Sequence, residues 1–83
     1  PPPLLLLEDD PVSAEFMRTA LAALPARVEQ AASLAEARAR VADRGDAPHT
    51  LWLFDARLPD GAGAALLAEL RAAGHRTPAL AHT

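Results

Sequence analysis

Cysteine, lysine and isoleucine are missing from this 83-residue chain, and its aromatic side chains are two Phe and one Trp. Without cysteine there is neither a disulfide framework nor a thiolate metal site. The three histidines stand apart at 49, 75 and 82, none at metal-ligand spacing from another. All eight basic residues are Arg and the formal charge is −3, so no basic stripe argues for nucleic acid. The longest leucine run, Leu4–Leu7, is too short for a membrane span or a signal-peptide core and leads directly into three acids. A cytoplasmic protein is the expectation. With so few aromatics the core must be built from Leu, Val and Ala, at a length where one core gives marginal stability.

What the chain does have is apolar runs that end in polar groups. Leu4-Leu5-Leu6-Leu7 ends in Glu8-Asp9-Asp10, Leu51-Trp52-Leu53-Phe54 ends in Asp55, and a third run ends in Thr83. Continuous apolar runs of this length suit parallel strands buried on both faces. If the runs are neighbours in one sheet, their ends bring carboxylates and a hydroxyl to one edge, the edge where ligands collect in open α/β sheets. Clustered carboxylates repel one another unless a hard cation sits among them, and Mg²⁺ favours such oxygen ligands. Metal-assisted phosphate chemistry is the implied use.

The remaining elements alternate. Pro1-Pro2-Pro3 reads as a lead-in outside the fold, because proline has no ladder donor. Asp10-Pro11 opens a helix whose apolar positions Val12, Phe16, Ala20 and Leu24, with Met17 and Leu21, run to Pro25. Ala26–Ala32 is the second strand. Ser33-Leu34-Ala35-Glu36 is a capping box for a helix with Leu34, Ala37 and Val41 inward, closed by Asp43-Arg44-Gly45. Thr50–Phe54 is the third strand and Leu58-Pro59-Asp60-Gly61 a turn. Ala64–Ala73 follows as a helix with Leu66, Leu67 and Leu70 inward and Gly74 past its end. Thr77-Pro78 introduces the last strand, Ala79–His82. The order βαβαβαβ argues for a doubly wound parallel sheet with right-handed crossovers. Trp52 and Phe54 read as core, His49 and His75 as exposed loop residues, His82 as packed or at an edge, and Arg38, Arg40 and Arg44 as a solvated helix face.

Glu8-Asp9, the run Phe54-Asp55-Ala56-Arg57-Leu58-Pro59-Asp60-Gly61 and the strand-terminal Thr83 together resemble the receiver domain of bacterial two-component response regulators. The resemblance covers residues 4–83 and implies a flavodoxin-like fold with strand order 2-1-3-4-5, of which the fifth strand and last helices are missing here. It makes Asp55 the acceptor of a phosphoryl group from a sensor histidine kinase or phosphotransfer protein. Asp9 would bind Mg²⁺ directly, Glu8 through water, Arg57 through its backbone carbonyl, and Thr83 would be the switch hydroxyl; Asp10 stays a helix cap. Such a domain assists its own phosphorylation without turning over a separate substrate. The lysine that clamps the phosphoryl oxygen in this family has no counterpart, which keeps open a pseudo-receiver, an interaction module independent of phosphorylation. A haloacid-dehalogenase-like phosphatase resembles Asp-x-Asp, and the second Asp is Arg57 here. Without a fifth strand the fourth is an unpaired edge, so a homodimer through that edge is a further expectation.

Overall fold

The computed structural model describes residues 1–82; Thr83 lies outside the described residues. Four parallel strands form the sheet: β1 (Pro3–Leu7), β2 (Arg27–Ala31), β3 (Leu51–Asp55) and, last in the chain, β6 (Ala79–His82). Between β3 and β6 a two-residue pair, β4 (Arg57–Leu58) and β5 (Gly61–Ala62), closes a small antiparallel hairpin. The sheet order is β2-β1-β3-β6, all parallel. Counting main-sheet strands alone, this is the expected order 2-1-3-4.

The prolines do more than lead in. Pro3 is the first residue of β1, and the carbonyls of Pro2 and Pro3 accept from the amides of Arg27 and Thr50, each at 2.9 Å. Proline lacks a donor but keeps its acceptor, and at the first position of a strand an acceptor suffices.

Three helices flank the sheet: α1 (Pro11–Leu21), α2 (Leu34–Arg44) and α3 (Gly63–Ala72). Asp10 caps α1 as its sequence suggests, its Oδ2 accepting from the Ser13 amide at 2.8 Å. Ser33 caps α2 through the Glu36 amide at 3.1 Å, while Glu36 reaches back to the amide of Ala32 at 3.2 Å, one residue earlier than a capping box requires. Gly74, at φ +98°, follows α3 in the left-handed conformation expected just past a helix end.

Strand alternation divides the sheet side chains between two faces. Leu5, Leu7 and Trp52 join Leu34, Ala37 and Val41 of α2 and Leu66 and Leu70 of α3 in one buried cluster. Leu4, Leu6 and Leu53 alternate with these residues and are also buried, Leu6 completely. On their side α1 contributes only Ala14 as a buried residue, and the apolar positions expected to face inward do not: Val12 is 77% exposed, Phe16 72% and Leu24 50%. The helix also ends at Leu21, short of Pro25. Helical spacing puts Val12 and Phe16 on one stripe, which no element among the described residues covers, and Leu24 lies beyond the helix end.

The histidine expectations change as well. His49 is buried against Glu29, and His75 is half-buried with its ring edge-on to Trp52 at 6.2 Å between centroids. Of the α2 arginines, Arg38 and Arg40 are exposed as expected, Arg38 with two hydrogen bonds to Glu69 of α3 at 2.8 and 3.0 Å, whereas Arg44 is half-buried and meets Glu29 at 3.3 Å.

Candidate functional site

Parallel pairing in register places the ends of β1 and β3 side by side, with Leu7 opposite Phe54. Glu8 and Asp9 therefore leave β1 where Asp55 ends β3. One carboxylate oxygen from each of Glu8, Asp9 and Asp55 lies within 4.8 Å of the other two. Their surroundings differ: Glu8 is buried, Asp55 half-buried and Asp9 exposed. The Glu8 backbone is held from two sides, its amide donating to the Ala31 carbonyl at 2.9 Å and its carbonyl accepting from Gln30 Nε2 at 3.4 Å. Its side-chain Oε2 accepts from the Asp10 amide at 3.0 Å. Burial raises the carboxyl of Glu8 above its usual range; the Asp10 amide opposes this and the neighbouring Asp55 adds to it.

Ionised carboxylates at this separation repel by about 3 kcal/mol per pair at an effective dielectric near 20, and by about 1 kcal/mol in bulk water. A small cation placed among them removes that repulsion. The donor set fits Mg²⁺, since all donors are hard oxygens. An octahedral ion with bonds of about 2.1 Å spans roughly 4.2 Å between opposite ligands, so a carboxylate at the outer limit of the cluster is reached through water.

Arg57 follows two residues after Asp55 on the hairpin, exposed, its amide 3.5 Å from Asp55 Oδ1. The bend is tight at Gly63: its amide donates to the Ala56 carbonyl at 3.0 Å, and a Cβ on Gly63 would come within 2.4 Å of the Asp55 carbonyl oxygen. Only glycine fits there. Thr83, the expected switch hydroxyl, lies outside the described residues. Its neighbour His82 pairs in register with Asp55 and places Nδ1 3.7 Å from Glu8 Oε1. Beside the acids a groove of about 350 Å³ is lined by Glu8, Val12, Ser13, Phe16, Met17 and His82.

Two features of the region go beyond the reading of the sequence. His82 approaches the buried acid, where an isolated histidine carried no signal. Asp60, read as part of a turn, is hydrogen-bonded to the start of α2. Pro-Asp-Gly signals a turn and says nothing of a helix start 26 residues earlier in the chain.

A parallel, doubly wound α/β domain with an acidic site at the carboxyl edge of its sheet is the class these observations define. Neither protein-family models nor curated proteins match the sequence. Solved structures do. The MaeR response regulator bound to beryllium trifluoride matches with a TM-score of 0.88 at 27% identity, over 100% of this chain and 67% of that one. The non-phosphorylated HemR receiver domain from Leptospira biflexa gives 0.83 at 33%, over 98% and 63%. A CheY-like receiver domain from Methylobacillus flagellatus gives 0.83 at 27%, over 96% and 67%. This chain has the receiver-domain fold of response regulators and spans about two-thirds of the length of those chains.

Proposed function

We propose that the chain is the phosphoacceptor part of a response regulator, with Asp55 taking a phosphoryl group from a histidine kinase or phosphotransfer protein in the presence of Mg²⁺. The observation that carries the reading is the convergence of Glu8, Asp9 and Asp55 at the carboxyl edge of a receiver fold. The beryllium trifluoride bound to the MaeR neighbour supports it, because an oxygen ligand makes BeF3⁻ tetrahedral and similar in shape to a phosphoryl group.

In this reading an Asp55 carboxylate oxygen attacks phosphorus in line with the donor nitrogen. The P–N bond of the phosphohistidine breaks, its electron pair returns to the imidazole, and an acyl phosphate remains on Asp55. Asp9, Asp55 and the Arg57 carbonyl would hold the ion directly and Glu8 through water. When bound, Mg²⁺ neutralises charge on the attacking and transferring oxygens. Gly63 keeps the backbone beside Asp55 close and fixed, so the nucleophile is positioned before the donor arrives. Thr83 would bond the transferred group, whose energy biases a two-state surface. The domain is then an acceptor and not a turnover enzyme, and a kinase partner using cytoplasmic ATP places it in the cytoplasm. No helix among the described residues is long and apolar enough to cross a membrane.

The test is incubation with Mg²⁺ and acetyl phosphate, followed by intact-mass measurement and peptide mapping. One base-labile phosphoryl group on Asp55, absent from Asp55→Asn, is expected. A label elsewhere, or full labelling of Asp55→Asn, rejects the assignment. The second reading is a pseudo-receiver that binds its partner without phosphorylation. Partner binding unaffected by Asp55→Asn, with no label in the wild type, would select it.

A further inference from the structure

Asp60 belongs to the hairpin after Asp55 but takes no part in the acid cluster. Its Oδ1 accepts from the Leu34 amide at 2.8 Å and its Oδ2 from the Ala35 amide at 3.1 Å. These are the first two residues of α2, whose amides have no partner inside the helix. The N-cap Ser33 takes the Glu36 amide instead. The start of α2 is thus capped twice, locally by Ser33 and at long range by the segment that carries the acceptor.

That segment is stiff. Arg57 pairs with Ala62 and Leu58 with Gly61, so Asp60 sits in the tip of a closed hairpin. Gly61, at φ +148°, lies where a Cβ would come 2.8 Å from Leu34 Cδ1, so backbone and helix are in close contact. At the root, Gly63 holds the chain against the Asp55 carbonyl. On the other side α2 is tied to α3 by Arg38 and Glu69. A displacement at Asp55 or Arg57 therefore has a short hydrogen-bonded route to α2.

We propose that Asp60 is a positioning residue: it locks the acceptor hairpin to the N-terminus of α2, holds Asp55 and the Arg57 carbonyl in place for the cation, and carries occupancy of that site to α2. A carboxylate suits the task because both oxygens accept and its charge faces the positive end of the helix. Asparagine offers one acceptor and turns an NH₂ toward an amide donor. Coupling of this kind is reciprocal, so breaking the Asp60 link to α2 changes cation affinity by as much as cation binding changes that link, whereas a cap outside the link leaves it alone. The proposal rests on the cation-site reading given above.

The experiment is a Mg²⁺ titration followed by ¹⁵N NMR on the whole chain, comparing wild type with Asp60→Asn, Asp60→Ala and, as a cap control on the same helix, Ser33→Ala. In the wild type the Leu34 and Ala35 amides should shift with the same midpoint as those of Asp9 and Asp55. Asp60→Ala should lose the response at Leu34 and Ala35 and bind Mg²⁺ about tenfold more weakly, the size of effect seen for outer-shell partners. Asp60→Asn should fall between, and Ser33→Ala should lower thermal stability with Mg²⁺ affinity unchanged. Unchanged affinity in Asp60→Ala, with only a lower melting temperature, reduces Asp60 to a cap and overturns the proposal. If Asp60→Ala does not fold, Asp60→Asn and the wild-type titration decide: silent Leu34 and Ala35 amides beside responding acids overturn this proposal alone. No Mg²⁺ response at Asp9 or Asp55 overturns the cation site and this proposal with it.

Discussion

His49 Nε2 and Glu29 Oε1 lie 2.8 Å apart, joining the loop before β3 to β2 at the end of the sheet remote from the acids. The imidazole is almost wholly buried, and Glu29 also meets Arg44 at 3.3 Å and Arg27 at 3.7 Å. An ionised carboxylate only accepts, so Nε2–H donates. Thr77 Oγ1 donates to the His49 carbonyl at 3.3 Å, fixing the same loop to the segment before β6.

Replacing His49 by Phe removes the donor and leaves Glu29 partly buried with a lost partner. The expected cost is about 1–3 kcal/mol, a fall of several degrees in melting temperature for a domain this small. Mg²⁺ affinity should not change, because the pair is at the opposite end of the sheet. Thermal melts and a Mg²⁺ titration of the variant check both parts; undiminished stability would mean that the pair is not structural.

Stability should fall in acid. The hydrogen bond from His49 holds the Glu29 carboxyl below its ordinary 4.5. Its folded form binds a proton more weakly than the unfolded form, so its contribution is complete above 4.5 and is lost as pH drops through the lowered native value. Asp10 and Asp60, held down by the Ser13 and Leu34 amides, act in the same direction from 3.8. Glu8 runs the other way: its raised carboxyl favours the fold below 4.5, and that contribution is lost as pH rises through the native value. Urea unfolding from pH 7 to pH 3 should show a net loss below about 4.5. A flat profile would contradict the pairing of Glu29.

The cation should stabilise the fold that binds it. At ten times its dissociation constant Mg²⁺ should add about 1.4 kcal/mol, or roughly 5–10 °C in melting temperature. Asp9→Ala should abolish the increment. Glu8→Gln should be more stable than wild type without metal, because a desolvated charge beside Asp55 is gone. Scanning calorimetry with and without Mg²⁺ reads all three; an Mg²⁺ increment intact in Asp9→Ala would exclude Asp9 from the site.

Val12, Phe16 and Leu80 expose apolar surface, and among the described residues β6 is bonded to β3 on one side only. An edge strand without charged residues pairs readily with another chain. Concentration-dependent association is expected by light scattering, and Phe16→Ser should weaken it while changing stability by less than about 0.5 kcal/mol. Identical scattering from both proteins would place the contact elsewhere.

The acid cluster was legible in the sequence because strand ends in a parallel sheet share an edge. Two apolar runs with acidic ends sufficed to bring Glu8, Asp9 and Asp55 together. Local caps were legible too, since Asp10 and Ser33 act within three residues of themselves. Helical spacing put Val12 and Phe16 on one stripe, but burial depends on a second surface that spacing does not supply, and both are exposed; Leu24, expected to continue the stripe, lies beyond the helix end. His49 with Glu29, Arg38 with Glu69 and Asp60 with Leu34 were not legible. Each pair joins groups 20 or more residues apart. Their hydrogen bonds exist only once the sheet has set the distance, so the tertiary structure alone decided which polar residues lock the fold and which remain in water.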